Sequence, residues 1–258
     1  MKKLVFGFCL IGLLVAGCGN KKVPGVAQAA DTPEKKKEMV ANIFTAVNKH
    51  DYDKAQNLIM SFVDLYPGDP EIASFKLMIA DVSYEQKKFA EAYEAYQHFQ
   101  DYYPADLRAE YAAYKAAHAK FHQAHHVTCD SGPIESTLQL CRDYMVHNEY
   151  VRYRPQIEDL ARTCQHNLLD KELFVVNSYL SQQRYASARH RLEYVAQKFD
   201  LDQNGKDHYL FCKAKLAKAE NNKDELVQLV DDLHAAYPQS QFTAMADRLV
   251  GKRALLFS

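Results

Sequence analysis

Tryptophan is absent from the 258-residue chain, and glycine (9) and proline (8) are scarce. So few breakers leave long stretches to Ala, Leu, Lys, Glu, Gln and Tyr, a balance that favours helices over strands. Charge of one sign is also missing. Thirty-two Lys and Arg stand against 33 Asp and Glu, for a net charge of −1, and no basic stripe appears. Neutralising phosphates needs clustered cations, so nucleic acid is not an expected partner. The chain also lacks a G-x-S-x-G elbow, a P-loop and a G-x-G-x-x-G fingerprint. Paired acids such as Asp231-Asp232 are neighbours on a helical pattern, so their side chains diverge. No enzymatic activity and no cofactor are expected.

What is present begins with an address. Lys2 and Lys3 precede an apolar stretch from Leu4 to Ala16. At roughly 13 residues it is too short for a bilayer core, which needs about 20. No later stretch is long and apolar enough to span one either. Ala16 and Gly17 supply the small residues of a cleavage site before Cys18. The run Leu14-Val15-Ala16-Gly17-Cys18 resembles a bacterial lipobox. The resemblance implies that residues 1–17 are removed and that Cys18 carries the lipid. Each buried methylene of an acyl chain adds roughly 0.8 kcal/mol, so several chains on one residue make a durable anchor. Gly19 stands where, in such lipoproteins of two-membrane hosts, an aspartate favours inner-membrane retention. The rule therefore points to the outer membrane. Residues 18–33, with Pro24-Gly25 and Asp31-Thr32-Pro33, carry no apolar periodicity and read as a tether. Helix is expected to begin near Pro33-Glu34.

Four cysteines remain beyond Cys9 and Cys18: Cys129, Cys141, Cys164 and Cys212. Two disulfides among them have three possible connectivities. Alternatively, Cys141 and Cys164, on strongly apolar helical patterns, are buried small residues. His118, His122, His125, His126 and Cys129 form a run with the residue types of a zinc or copper set. Without an H-E-x-x-H or Cys-x-x-Cys motif, the plainer reading is a polar helix end entering a loop, and no metal is expected.

Repetition dominates the rest. Tyr66-Pro67 and Tyr103-Pro104 close two similar blocks 37 residues apart, and Tyr237-Pro238 closes a later one. Each block holds two helical patterns around a short polar turn. The first has Val40, Ile43, Phe44 and Val47, then Ala55, Leu58, Ile59 and Phe62. The second has Ile72, Phe75, Ile79 and Val82, then Ala92, Tyr96 and Phe99. A third runs from Arg108 through a longer loop to about Glu149. The fourth centres on Glu172 to Val176 and Ala188, and the fifth spans roughly Asp207 to Tyr237. Ser240 is placed to cap a final helix ending near Val250.

The pattern resembles the tetratricopeptide repeat. A small residue opens the second helix at Ala55, Ala92 and Ala188, followed four positions on by Ile59, Tyr96 and Leu192. Two antiparallel helices approach closely only where a small side chain sits at their crossing, and each pair leaves an apolar face for the next to cover. The repeat's opening Trp is missing, and Thr137 and Leu226 replace the small residue in blocks three and five. The fold class expected is all-α: an α-solenoid of about five tetratricopeptide-like helix pairs over residues 34–250, with a C-terminal capping helix and a tail at 251–258.

Lipobox, tether and five repeats together resemble the BamD family of the outer-membrane β-barrel assembly machinery. Glu110-Tyr111-Ala112-Ala113-Tyr114, Leu168 to Val176, Arg184 to Arg191 and Tyr237-Pro238-Gln239-Ser240 carry the likeness. The histidine- and cysteine-rich loop of block three and the short end after the last helix depart from it. The resemblance implies a scaffold on the periplasmic face of the outer membrane, with a concave groove that receives unfolded outer-membrane protein segments. Its C-terminal repeats would dock a BamA-like barrel-forming partner, among other machinery lipoproteins. Counting back from the closing prolines puts Phe44, Val47, Leu77, Tyr84, Tyr111 and Tyr114 on first helices as groove residues. Arg191 is the matched position for partner docking. The alternatives are a lipoprotein pilotin or envelope scaffold for a secretion or pilus system, and a metal-handling protein built on the histidine run.

Overall fold

A computed structural model describes residues 32–124, 131–201 and 205–251. Among them are eleven α-helices and no strand. Five antiparallel pairs follow one another: α1 (Pro33–Asn48) with α2 (Tyr52–Leu65), α3 (Ile72–Glu85) with α4 (Phe89–Tyr102), and α5 (Ala109–Phe121) with α6 (Gly132–Val146). Then come α7 (Arg154–Ser181) with α8 (Tyr185–Lys198), α9 (Lys206–Ala219) with α10 (Lys223–Ala236), and the capping helix α11 (Gln241–Asp247). Each helix packs on its chain neighbours, and α9 also contacts α7 and α11, which makes the assembly an α-solenoid. Thr32 caps α1, its Oγ1 accepting from the Lys35 N–H, and Pro33 fills the first turn where no N–H partner exists. Ser240 caps α11 through the Phe242 N–H, but that helix stops at Asp247, short of Val250. Cys18, the tether as far as Asp31, His125, His126, Cys129 and the tail from Lys252 lie outside the described residues, while the last tether positions, Thr32 and Pro33, belong to the start of α1.

Four of the five pairs turn in the same way. His50, Lys87, Gln183 and Asn221 all have φ between 56° and 60°, the left-handed region. In each case the following N–H reaches back five residues: Asp51 to the Ala46 carbonyl, Lys88 to Ser83, Arg184 to Tyr179 and Asn222 to Ala217. The preceding orphan carbonyls of the first helix are thereby satisfied, as in a Schellman closure. None of these residues is glycine, so each turn holds an L-residue in a disfavoured backbone conformation.

The crossings obey the small-residue rule. Ala55, Ala92 and Ala188 are fully buried, each one turn before Ile59, Tyr96 or Leu192. Thr137 is also fully buried, and its hydroxyl donates to the Pro133 carbonyl, so the polar group is satisfied within its own helix. Leu226 occupies the place in the fifth pair and is almost completely buried. The tightest region is α5, whose buried residues are all alanine (Ala109, Ala112, Ala116, Ala117 and Ala119). It lies between α4 and α6.

A second kind of lock joins α7, α9 and α11. The His208 Nδ1 and Asp170 Oδ1 are 3.1 Å apart, and the His208 ring stacks on Phe242 with centroids 4.3 Å apart. Burial opposes the imidazolium, but hydrogen bonds to Asp170 and Cys212 outweigh it and push the ring's pKa up to about 9. Gly205 precedes α9 at φ +66, and a Cβ there would lie 2.8 Å from Leu169 Cδ2. Both its backbone and its surroundings therefore favour glycine.

Replacing exposed Lys87 or Gln183 by glycine should stabilise the protein by about 0.5–1 kcal/mol each, read as a higher urea midpoint at unchanged slope. Gly205→Ala should lower that midpoint, by the equivalent of about 1–3 kcal/mol of stability, because strain and collision add.

Candidate functional site

A hollow bordered by the first helices lies at the N-terminal end, with a volume of about 670 Å³. Its apolar wall is Phe44 and Val47 from α1 and Leu77, Met78 and Val82 from α3. Phe44 is 46 % exposed although it sits on an apolar helical pattern, because Ile43 and Ala46 take the core seam of α1. Its ring leans on Phe75, centroids 6.4 Å apart, which holds it in place without covering it. His50, Tyr52, Asp81, Glu85 and Arg108 bring polar groups to the same hollow. Arg108 is pinned: Nε and Nη2 donate to Asp106 at 2.9 and 2.6 Å, and Nη1 donates to Ser74 Oγ at 2.7 Å.

Of the six residues expected in a groove, Phe44, Val47 and Leu77 share this hollow. The other three lie on α3 and α5 but serve the surrounding framework. Tyr111 donates its hydroxyl to Asp81 Oδ1 at 2.8 Å, beside Tyr96, which donates to the same oxygen at 2.6 Å. Tyr114 stacks on Tyr153, centroids 4.5 Å apart. Tyr84 meets Phe89 and His122 edge-on and carries Lys115 Nζ 3.3 Å above its ring. Asp81 was not singled out by sequence, yet it joins α3, α4 and α5 at the floor of the hollow. Burial pushes its pKa up against the two tyrosine hydroxyls and Lys115, which favour the charged form. Its only sequence signal is its spacing, one turn beyond Leu77 on the same helix.

Arg191 lies on α8 and lines a separate hollow of about 460 Å³ with Tyr179, Ser187, His190 and Tyr194. Its Nη1 donates to Glu172 Oε2 on α7 at 3.0 Å, and its guanidinium sits 5.4 Å from the Tyr194 ring centre. Of the histidine run, the described His118 and His122 turn to different neighbours. His122 stacks on Phe89, while His118 points into the protein beside Tyr114 with Nε2 buried and unpartnered among the described residues. Among the described residues, no three His, Cys, Asp or Glu are grouped to hold a metal ion. Cys141, Cys164 and Cys212 are buried free thiols, and burial pushes Cys141 and Cys164 up to about 12. Such thiols behave as small apolar residues. No described helix is long and apolar enough to cross a membrane.

A family described as "YfiO: Outer membrane lipoprotein" matches residues 33–229. No curated protein matches the chain. Among solved structures, the chain is similar to a tetratricopeptide repeat protein from Parabacteroides merdae, at 16 % identity, 85 % coverage of this chain, 75 % of that one and a TM-score of 0.38. It is also similar to the TPR2AB-domain:pHSP90 complex of yeast Sti1, at 10 % identity, 85 % of each chain and a TM-score of 0.42. Pseudomonas aeruginosa pilF matches at 12 % identity, 83 % of this chain, 97 % of that one and a TM-score of 0.26.

Two histidines predict the pH profile of the fold. Burial holds His118 down to about 4, so the stability it contributes is present above its unfolded value near 6.5 and is lost as the pH falls toward 4. His208, raised to about 9, contributes stability below 6.5 that is lost as the pH rises through 9. Unfolding free energies measured from pH 4 to 9 should peak near 6.5, with roughly 3 kcal/mol lost on each limb. His118→Phe should flatten the acid limb only, and His208→Asn the alkaline limb only.

Proposed function

Because the chain belongs to the YfiO outer membrane lipoprotein family, we propose that it is the periplasmic, outer-membrane-anchored subunit of a β-barrel protein assembly machinery. In this reading it performs no chemistry. It holds unfolded segments of outer-membrane proteins in the groove of its first repeats and docks a barrel-forming partner through its later ones. The observation that carries the proposal is the open, apolar hollow walled by Phe44, Val47 and Leu77 in a chain of that family. A large ring held by one neighbour and left exposed keeps contact area available for a partner, at little ordering cost. Lipid on Cys18 would supply the membrane attachment that no described helix provides. Arg191 suits docking because Glu172 fixes its guanidinium at the edge of a hollow, where a planar, oriented cation recognises an acidic group.

Affinity purification of the tagged, lipidated protein in mild detergent should recover a large outer-membrane barrel protein with periplasmic domains. Recovery of a secretin or pilus component without that barrel would instead establish the pilotin alternative. Phe44→Ser should weaken binding of an unfolded outer-membrane protein segment about tenfold while lowering stability by only about 1 kcal/mol, so that the protein stays folded. Arg191→Ala should reduce recovery of the barrel and leave segment binding intact.

A further inference from the structure

The groove of the first repeats has a charge that its own residues do not balance. Asp81 and Glu85 are one turn apart on α3, and both line the hollow whose other wall is apolar. Like charges at this spacing cost a helix about 0.2–0.5 kcal/mol. Of the basic side chains that face them, Arg108 is bound by Asp106 and Ser74. His50 is engaged with the Tyr52 hydroxyl at 2.6 Å. Lys115, from α5, lies over the Tyr84 ring and is drawn toward both carboxylates, so it offsets one of the two. The tyrosine hydroxyls of Tyr96 and Tyr111 both bond Oδ1 of Asp81, and among the described residues none bonds Oδ2.

We propose that this groove selects extended polypeptide segments in which a lysine or arginine stands two residues from a large apolar or aromatic side chain. The cation meets Asp81 and Glu85, and an apolar side chain two residues away rests on Phe44 and Val47. In an extended chain, residues i and i+2 project on one side about 7 Å apart, so one peptide edge presents both to the hollow. The tyrosine hydroxyls fix the Asp81 carboxylate before a segment arrives, so the site needs little reorganisation to receive a positive charge. The inference rests on the proposed reading that unfolded segments occupy this groove, and it adds their chemistry.

Fluorescence anisotropy with labelled ten-residue peptides of alternating Phe and Ser decides it. One peptide carries a lysine in place of a central Phe, so that Phe stands two residues to either side; a second carries acetyl-lysine at that position, and a third glutamate. The lysine peptide should bind the full, folded protein about five- to tenfold tighter than the acetyl-lysine peptide, and the glutamate peptide most weakly. Glu85→Gln, whose side chain makes no hydrogen bond among the described residues, should reduce the lysine preference about two- to threefold. Asp81→Asn should abolish the preference while the acetyl-lysine peptide still binds. Equal binding of all three peptides would overturn the charge selectivity and leave the groove reading in place. Failure of every peptide to bind would instead remove the groove reading itself.

Discussion

An antiparallel pair of fourteen-residue helices has more apolar surface than its two partners can hide from water. Everything in this solenoid follows from that excess. Within a pair, close approach at Ala55, Ala92 and Ala188 lets the longer residues one turn later interdigitate. Between pairs, the outer apolar face must be covered by the next helix, and the alanine-lined α5 between α4 and α6 shows how little room is left there. Stability in such an array is the sum of pair and neighbour terms, so terminal faces need their own solution. α11 provides one at the C-terminal end, where Leu233 and Ala246 belong to the same buried cluster.

The candidate groove is what remains after the core has taken its share of each first helix. On α1 the core takes Ile43 and Ala46, which leaves Phe44 outward. On α3 it takes Phe75, Ala80 and Val82, and Asp81 is left facing the hollow between them. A carboxylate in that position needs donors, and these come from α4 and α5, the next elements of the chain. The polar floor therefore doubles as a tie across three helices. Losing either hydroxyl would leave part of a half-buried charge unsatisfied, which costs more than a neutral hydrogen bond is worth.

The repeat architecture was legible because it depends on local spacing: small residue, large residue four positions on, aromatic-proline closure. Degenerate positions such as Thr137 did not hide it, since period carries more information than any single residue type. The four left-handed turns were not legible, because His50, Lys87, Gln183 and Asn221 share no side-chain chemistry and only backbone hydrogen bonding makes them equivalent. The groove was legible in part. Phe44, Val47 and Leu77 could be placed by counting along first helices, whereas Tyr84 and Tyr114 are drawn away by rings across the next turn and from distant positions, Phe89, His122 and Tyr153. Asp81 escaped notice because its setting is built by residues 15 and 30 positions later. The histidine run illustrates the converse. A helical spacing of four brings His118 and His122 near each other, but one turns inward and the other lies flat on Phe89.

The recurrent turns also bear on how the chain acquires its shape. Each is closed by hydrogen bonds spanning no more than five residues, and each brings together helices that are adjacent in sequence. Loop-closure entropy is therefore small at every step, and assembly need not wait for the far end of the polypeptide. A chain delivered end-first can build pair upon pair, each finished face serving as the template for the next. The groove-bearing repeats, being first in sequence, would be complete before the segment that carries Arg191 has arrived.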